Sequence, residues 1–321
     1  MRALIIGYGS IGQRHMRNLS TLMPDAEVIV VRRDTSQTIE RATVAANLDV
    51  ALSMLPDFAI LATPSAAHVD ALVDLIAADI PTYVEKPIVT ETAHITRVRD
   101  ALQTRPSLRH ASGFNLRLLR SLQLAQELLR QGALGEVARA SFVAGQWLPD
   151  WRKTADFRQS YSTRKSGGGG VIFDLCHELD AARLLLGEIQ LHHCSTAYFP
   201  GLDIETESVA SIVGRADRGS LVTVNVDYVA RRPIRRYELV GDKGSLIWDL
   251  AIKRLEYHTP AGIEIVTEQP EDFDVSSTYA EALSAFIASA LGRSEATLQS
   301  LEDGLRSTEL AILANSVGRT S

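Results

Sequence analysis

The sequence predicts an α/β protein: a doubly wound parallel-sheet domain over residues 1–116, then an α+β domain over residues 117–321 on an open, mainly antiparallel sheet. Three observations lead there. Short apolar runs alternate with helical patterns through the first third, the signature of strand–helix–strand units and a parallel sheet. From Gln190 to about Thr267 the chain instead reads as successive strands, with turns at Asp217-Arg218-Gly219 and Gly241-Asp242-Lys243-Gly244. A length of 321 residues suits two domains, each with its own core.

Taken in order, Ala3–Ile6 reads as a buried strand and Ser10–Leu22 as a helix, followed by a strand at Glu27–Val31 and a helix-like stretch from Thr35 to about Ala46. Phe58–Ala62 is the next strand. Ser65 can cap the helix after it, whose residues Val69, Leu72, Val73 and Ile76 recur at helical spacing. Thr82–Val84, a helix from about Glu91 to Thr104 and a strand near Leu108–Gly113 complete the first domain. Leu116–Gln131 reads as a long amphipathic helix ended by Gly132, and Val171–Leu186 as a helix ended by Gly187. The stretch from Gln146 to Ser166 is too long and too aromatic to be a mere connector. Two helices close the chain, about Ser277–Leu291 and Leu301–Asn315.

Composition removes several classes of function. Charged residues make up 22% and the formal net charge is −6, without the basic field of a nucleic-acid or membrane-surface binder. Cys176 and Cys194 are the only cysteines, enough for one bridge at most and not a metal-site pattern, so no metal is expected. The apolar run at Met1–Gly7 is too short for a signal segment, and no stretch approaches the about 20 apolar residues of a membrane helix. The expected setting is the cytoplasm.

Gly7-Tyr8-Gly9-Ser10-Ile11-Gly12 is a G-x-G-x-x-G placed where that pattern carries meaning, after a strand and at the start of a helix. Gly7 allows the tight turn, Gly9 lets the backbone approach a pyrophosphate, and Gly12 lets helix and strand pack closely. The expected cofactor is therefore a nicotinamide dinucleotide. Its adenosine ribose is read about 20 residues further on, where an acid accepts from the 2′-hydroxyl of NAD. Arg32 and Arg33 stand there instead and suit a 2′-phosphate, so NADP is favoured; Asp34 keeps NAD open.

Ligands of such sheets lie at the carboxyl ends of the strands. Thr63-Pro64 and Glu85-Lys86-Pro87 both fall there, and Lys86 beside a cofactor could exchange a proton. A second cluster follows Gly167-Gly168-Gly169-Gly170. Asp174, His177 and Asp180 recur every three residues, so a carboxylate and an imidazole can share one helix edge. That pairing raises the basicity of the ring, as proton transfer from a hydroxyl requires; a dipole-favoured acid beside a packed histidine is the plain alternative.

With these motifs in view, the chain resembles the Gfo/Idh/MocA oxidoreductases. The match runs in order through Gly7–Gly12, Ala62-Thr63-Pro64-Ser65 with His68, Glu85-Lys86-Pro87, Gly113-Phe114-Asn115 with Arg117, and the glycine run through His177 and Asp180. The resemblance implies a Rossmann domain holding the nicotinamide cofactor and an open-sheet domain receiving a sugar, sugar derivative or polyol. It implies that Lys86 hydrogen-bonds the reacting oxygen, that His177 is the acid/base and that Asp174 is its partner. Many members place this acid four residues before the histidine; here it is three, with Phe173 at the four-back position. Ser65 stands where many relatives have Asn. Together with the motif residues, His68, Glu85 and Asn115 complete the expected cofactor contacts. The family also implies a homodimer or homotetramer.

The segment Trp147-Leu148-Pro149-Asp150-Trp151-Arg152, with Asp156, Arg158 and Tyr161, resembles a branch linked to surface-polysaccharide sugars. Arg117, Trp151, Arg152, Arg158 and Tyr161 are the candidate sugar contacts beside Asp174 and His177. Arg231-Arg232-Pro233-Ile234-Arg235-Arg236 is the one basic cluster, more in keeping with a solvated turn or an oligomer contact than with a phosphate site. The expected activity is hydride transfer between nicotinamide and a hydroxyl or keto carbon, with a non-catalytic dinucleotide-binding sensor as the alternative.

Overall fold

The N-terminal apolar run forms strand β1 (Arg2–Ile6), buried at four of its five positions. The structure, a computed structural model, describes residues 1–32, 34, 36, 38–151, 156–293 and 298–318. After β1 come α1 (Ser10–Leu22), β2 (Glu27–Val31), β3 (Ala42–Ala45), α2 (Leu48–Ser53), β4 (Phe58–Leu61), α3 (His68–Ala77), β5 (Thr82–Val84), α4 (Thr92–Thr104) and β6 (Ala111–Ser112). The six strands are parallel, in the order β3-β2-β1-β4-β5-β6. The chain winds outward from β1 to β3, then crosses back to β4 on the other side of β1. The carboxyl ends of β1 and β4 therefore flank the switch point where such sheets take their ligands.

The helix expected from Thr35 to Ala46 is instead the edge strand β3. Thr43 and Val44 are β-branched and pair well beside β2, and this tertiary pairing outweighs a weak local helical pattern. The helix begins later, at Leu48, where the Asn47 side chain accepts from the Val50 N–H at 2.9 Å. The strand near Leu108–Gly113 shrinks to two residues.

Beyond Asn115 the elements are α5 (Arg120–Arg130), β7 (Val137–Gly145), α6 (Leu148–Trp151), α7 (Val171–Asp174), α8 (His177–Leu186) and β8 (Ile189–Ala197). Then come β9 (Val209–Ala216), β10 (Leu221–Asp227), β11 (Ile234–Gly241), β12 (Ser245–Asp249), β13 (Arg254–Thr259) and β14 (Gly262–Thr267). They form an eight-stranded sheet in the order β14-β13-β12-β11-β7-β10-β9-β8. Every pair is antiparallel except β7 with β10, which are joined by the long crossover that a parallel pair needs. Phe142, Tyr237, Trp248 and Val224 lie buried on one face of the sheet.

Two expected helices are interrupted. Leu119 is extended (ψ 120°), so the helix expected from Leu116 begins at Arg120. Val171–Leu186 breaks at Leu175 and Cys176 into α7 and α8. Buried carboxylates on the two sides of the break, Asp174 and Glu178, reach different parts of the sheet: Tyr228 just after β10 and Tyr237 of β11.

The chain ends in α9 (Val275–Ala290) and α10 (Leu301–Gly318). By backbone contacts, Ser276–Thr308 belongs with Met1–Asn115, while Leu116–Val275 and Glu309–Ser321 make the second unit. The return has a physical cause: Phe286 of α9 meets Phe58 and Tyr83 at ring separations of 6.0 and 5.7 Å. Thr308 Oγ1 also accepts from the Ile88 N–H at 3.2 Å. The Phe286→Ala variant is expected to lose about 3–5 kcal/mol from the unfolding of the first unit. Urea denaturation followed by dinucleotide binding checks this, and an unchanged midpoint would detach α9 from that core.

Candidate active site

In the first unit the three glycines have different reasons. Gly7 has φ +94°, and a Cβ there would lie 2.7 Å from the Ala62 carbonyl oxygen; a Cβ on Gly12 would lie 2.1 Å from the Gly7 oxygen. The fold itself demands both. A Cβ on Gly9 would meet nothing within 4 Å, so no contact within the protein requires glycine there. The space beside it is open to a ligand. Helix α1 starts at this point with no side-chain cap, leaving its first N–H groups oriented as an anion site. Tyr8, Ser10 and Ile11 are exposed or half-buried around the turn. Nearby, Thr63 Oγ1 is buried without a hydrogen-bond partner, and Pro64 is exposed. An open glycine position, an uncapped helix start and an unsatisfied hydroxyl together fit a dinucleotide.

At the end of β2 the Arg32 side chain is half-buried and lies 3.6 Å from Asp34. The Ser36 hydroxyl and N–H donate to Asp34 Oδ1 at 2.5 and 2.9 Å, and these bonds hold its carboxyl below the usual range. Arg33 lies outside the described residues.

Three expected cofactor contacts are buried and bonded within the protein. His68 has no exposed surface; its Nδ1 and Nε2 face the carbonyls of Ile88 and Thr63 at 3.0 and 2.8 Å, and burial pushes its pKa down. It ties the Thr63 turn to the segment after Lys86. Glu85 is 6% exposed and its Oε1 lies 2.7 Å from Nε2 of the fully buried His15. Asn115 donates from Nδ2 to Thr278 Oγ1 at 2.7 Å and is 3% exposed. Lys86, by contrast, is half-buried and reaches the surface.

In the second unit Asp174 closes α7 and His177 opens α8. Asp174 is 3% exposed, and the Tyr228 hydroxyl donates to its Oδ2 at 2.8 Å. Burial, and then the charge of Asp174, push the Tyr228 phenol well above its ordinary pKa, so it remains a donor. The Trp151 ring meets Tyr228 edge-on at 6.2 Å. Glu178, fully buried, lies 2.7 Å from Arg235 Nε and accepts from the Tyr237 hydroxyl at 3.0 Å. Arg117, an expected sugar contact, grips Asp180 with two parallel bonds of 2.8 and 2.7 Å. That engagement makes it a strut for α8. Arg158 lies over Phe157 and within 3.7 Å of Asp156 and Asp203, and Tyr161 is exposed. Arg152 falls outside the described residues. Among the described residues no His, Cys, Asp and Glu cluster could hold a metal, and no helix is long and apolar enough to cross a membrane.

Residues 1–110 match the family model described as "Oxidoreductase family, NAD-binding Rossmann fold", and residues 122–247 match the "GFO/IDH/MocA C-terminal domain". The chain belongs to the Gfo/Idh/MocA oxidoreductase family. It is 26% identical over 196 residues to inositol 2-dehydrogenase 1 of Paenarthrobacter aurescens, covering 59% of this chain and 55% of that protein. The chain thus spans about half the length of the curated relatives it matches. Among solved structures, levoglucosan dehydrogenase in complex with NADH superposes with a TM-score of 0.85 at 17% identity, covering 100% of this chain and 97% of that one. The WlbA dehydrogenase of Bordetella pertussis, in complex with NADH and UDP-GlcNAcA, superposes at 0.84 and 18% identity, covering 100% and 96%. At these identities the likeness shows the fold.

For this Gfo/Idh/MocA member, the sequence motifs do not reveal His15, Glu178 or Tyr228 as parts of the two clusters. His15 stands three residues after Gly12 on the inward face of α1, a signal that marks burial but not its partner. Tyr228 carries no local signal at all. The glycine argument predicts a split between two substitutions. Gly12→Ala should destabilise the dinucleotide-free protein by about 2 kcal/mol or more through overpacking. Gly9→Ala should leave that stability unchanged while weakening dinucleotide binding by about tenfold or more. Thermal melts and a fluorescence titration of the two variants check it; equal melting losses would remove the argument that Gly9 serves a ligand.

Proposed function

We propose that this chain is a nicotinamide-dependent dehydrogenase or reductase acting on a hydroxyl or keto carbon of a sugar, sugar derivative or polyol. The observation that carries the reading is that one chain combines a dinucleotide turn, whose Gly9 serves no packing purpose, with a helix start at His177 braced by buried carboxylates. The names of relatives support the substrate class: an inositol dehydrogenase by sequence, and levoglucosan and UDP-GlcNAcA complexes by fold. When bound, the dinucleotide supplies the hydride donor or acceptor. Residues 1–116 act as the cofactor half and 117–321 as the substrate half, with the return of Ser276–Thr308 completing the first core.

The protein's own contribution is position and proton transfer. Lys86, at the end of β5, donates a hydrogen bond to the reacting oxygen. Its neighbours in sequence, Glu85 and Pro87, are buried, and the His15–Glu85 contact restrains the turn that presents it. His177 exchanges the hydroxyl proton, and Asp174 keeps negative charge near the ring as it becomes cationic. Tyr228 stabilises that charge by donating to Asp174. Trp151 and Tyr161 offer aromatic surface to the C–H faces of a sugar, and Arg152 and Arg158 offer polar contacts. Leu221, Ile263 and Ile265, exposed on the sheet, agree with assembly into a dimer or tetramer.

The same reading favours NADP over NAD. Arg32 occupies the ribose-reading position, and Asp34 is already engaged by Ser36 and Arg32 rather than offered to a 2′-hydroxyl. NADP is expected to bind about tenfold or more tightly than NAD, and Arg32→Glu should reverse the order. Calorimetric titration of both dinucleotides checks this, and equal or better affinity for NAD in the parent removes the 2′-phosphate argument.

The reaction is tested by following nicotinamide absorbance across inositols, neutral sugars and sugar acids. Lys86→Ala and His177→Ala should each lower kcat on the accepted substrate by about 100-fold or more while retaining dinucleotide affinity. Parental turnover in either variant would overturn the role given to that residue. No redox turnover on any of the panel would count against the activity.

A further inference from the structure

Arg231 and Arg232 enter no part of the proposed reaction, yet the structure gives one of them a fixed place. The Arg231 guanidinium carbon lies 3.6 Å from the centre of the Trp147 ring, stacked over its face. Trp147 also meets Phe199 edge-on at 6.4 Å, and Phe199 is 46% exposed. Among the described residues Arg231 makes no ion pair, and it is exposed. Stacking holds the flat face of the guanidinium and leaves its N–H edge free to donate.

The backbone beneath the pair is equally fixed. Asp227 Oδ1 accepts from the N–H groups of Val229 and Ala230 at 2.8 and 2.6 Å, which sets the turn leading to Arg231. The Gln146 and Leu148 N–H groups donate to the carbonyls of Asp227 and Tyr228 at 3.1 and 3.0 Å, clamping the Trp147 segment alongside. Tyr228 is the residue whose hydroxyl reaches Asp174. The stacked arginine therefore stands on the same two segments that carry the phenol of the proposed proton-transfer cluster. A second exposed cation, Lys165, lies 5.9 Å from the ring of Tyr198, next to Phe199. The acids near this edge, Asp203 and Glu205, are directed to Arg158 and to the Lys165 backbone N–H.

We propose that Arg231, stacked on Trp147, is an oxyanion subsite that binds a phosphate or carboxylate group of the carbohydrate substrate. The proposal rests on the carbohydrate reading above and narrows it from sugars in general to anionic sugars. Arginine is suited to the task because its forked donors match both groups in a bidentate manner. The aromatic pair beneath provides a face for the ring or base attached to the anion.

The test uses the full chain loaded with its dinucleotide, titrated by calorimetry with glucose 6-phosphate, UDP-glucose, glucuronate and, as the neutral reference, glucose. At least one anionic probe should bind about tenfold or more tightly than glucose, and Arg231→Gln should erase that gain. Arg231→Lys should retain part of it, since the charge persists but the fork is lost. Preference for the two phosphate probes identifies a phosphate site; preference for glucuronate identifies a carboxylate site. The proposal is overturned if no anionic probe surpasses glucose, or if Arg231→Gln leaves every anionic affinity within about twofold of the parent. Dinucleotide affinity reports that the variants are folded. Because the readout is binding, the outcomes separate cleanly: anion binding through Arg231 without turnover keeps the subsite and loses the reaction, and turnover of neutral sugars with no Arg231 effect does the reverse.

Discussion

Three buried carboxylates within seven residues constrain the second unit more than any other feature. Asp174, Glu178 and Asp180 are at most 3% exposed, and an unpaired charge at such depth costs several kcal/mol. Each is satisfied by a different element: Asp174 by Tyr228 after β10, Glu178 by Arg235 and Tyr237 of β11, Asp180 by Arg117 ahead of α5. The helix start that carries His177 is thereby tied at three points. Glycine makes this approach feasible, since a Cβ on Gly170 would sit 2.2 Å from Glu207 Oε1, the oxygen that accepts from the Ile172 N–H. The same requirement fits the break between α7 and α8, because the acids on its two sides turn to Tyr228, after β10, and Tyr237, in β11.

The first unit solves a similar problem with fewer charges. His15 is fully buried against Glu85, and the rings of Tyr83 and Tyr279 lie 5.5 and 6.4 Å from it. A Cβ on Gly113 would lie 3.0 Å from Glu85 Oε2, so the carboxylate is held between helix α1 and the end of the sheet. The residue that follows, Lys86, inherits a fixed backbone without having to be buried itself. Buried acids paired with other side chains recur beneath Lys86, which is half-buried, and beside His177, which is 7% exposed.

Legibility in the sequence followed the distance between partners. The Gly7–Gly12 turn, the strand before it and the helix after it are local, and all three were visible. The position of Lys86 after the end of β5 was visible because a strand end and the flanking Glu and Pro are local too. His15 and Glu85 are 70 residues apart and Asp174 and Tyr228 are 54 apart, and no periodicity reports a contact of that kind. Local pattern also misled where tertiary pairing prevailed, as at β3, whose four residues are a strand because β2 lies beside them. Helix α9 was legible as a helix but not as part of the first core, since its Phe286 meets Phe58 and Tyr83 across the whole second sheet, which intervenes in sequence.

Net charge conceals how the arginines are divided. Arg117 and Arg235 neutralise buried acids, so they contribute little field to a ligand; Arg231 is stacked on an indole and makes no ion pair among the described residues. This division resolves an apparent conflict. The proposed proton-transfer cluster, which uses the negative charge of Asp174, would repel an anionic substrate through a medium of low dielectric. Tyr228 moderates that charge by donating to it, and Arg231, three residues further along the same turn, supplies a separate positive charge to the anion. Proton transfer and anion recognition then place opposite electrostatic demands on different side chains. In the proposed reaction, a single arginine serving both would neutralise the carboxylate assigned to His177.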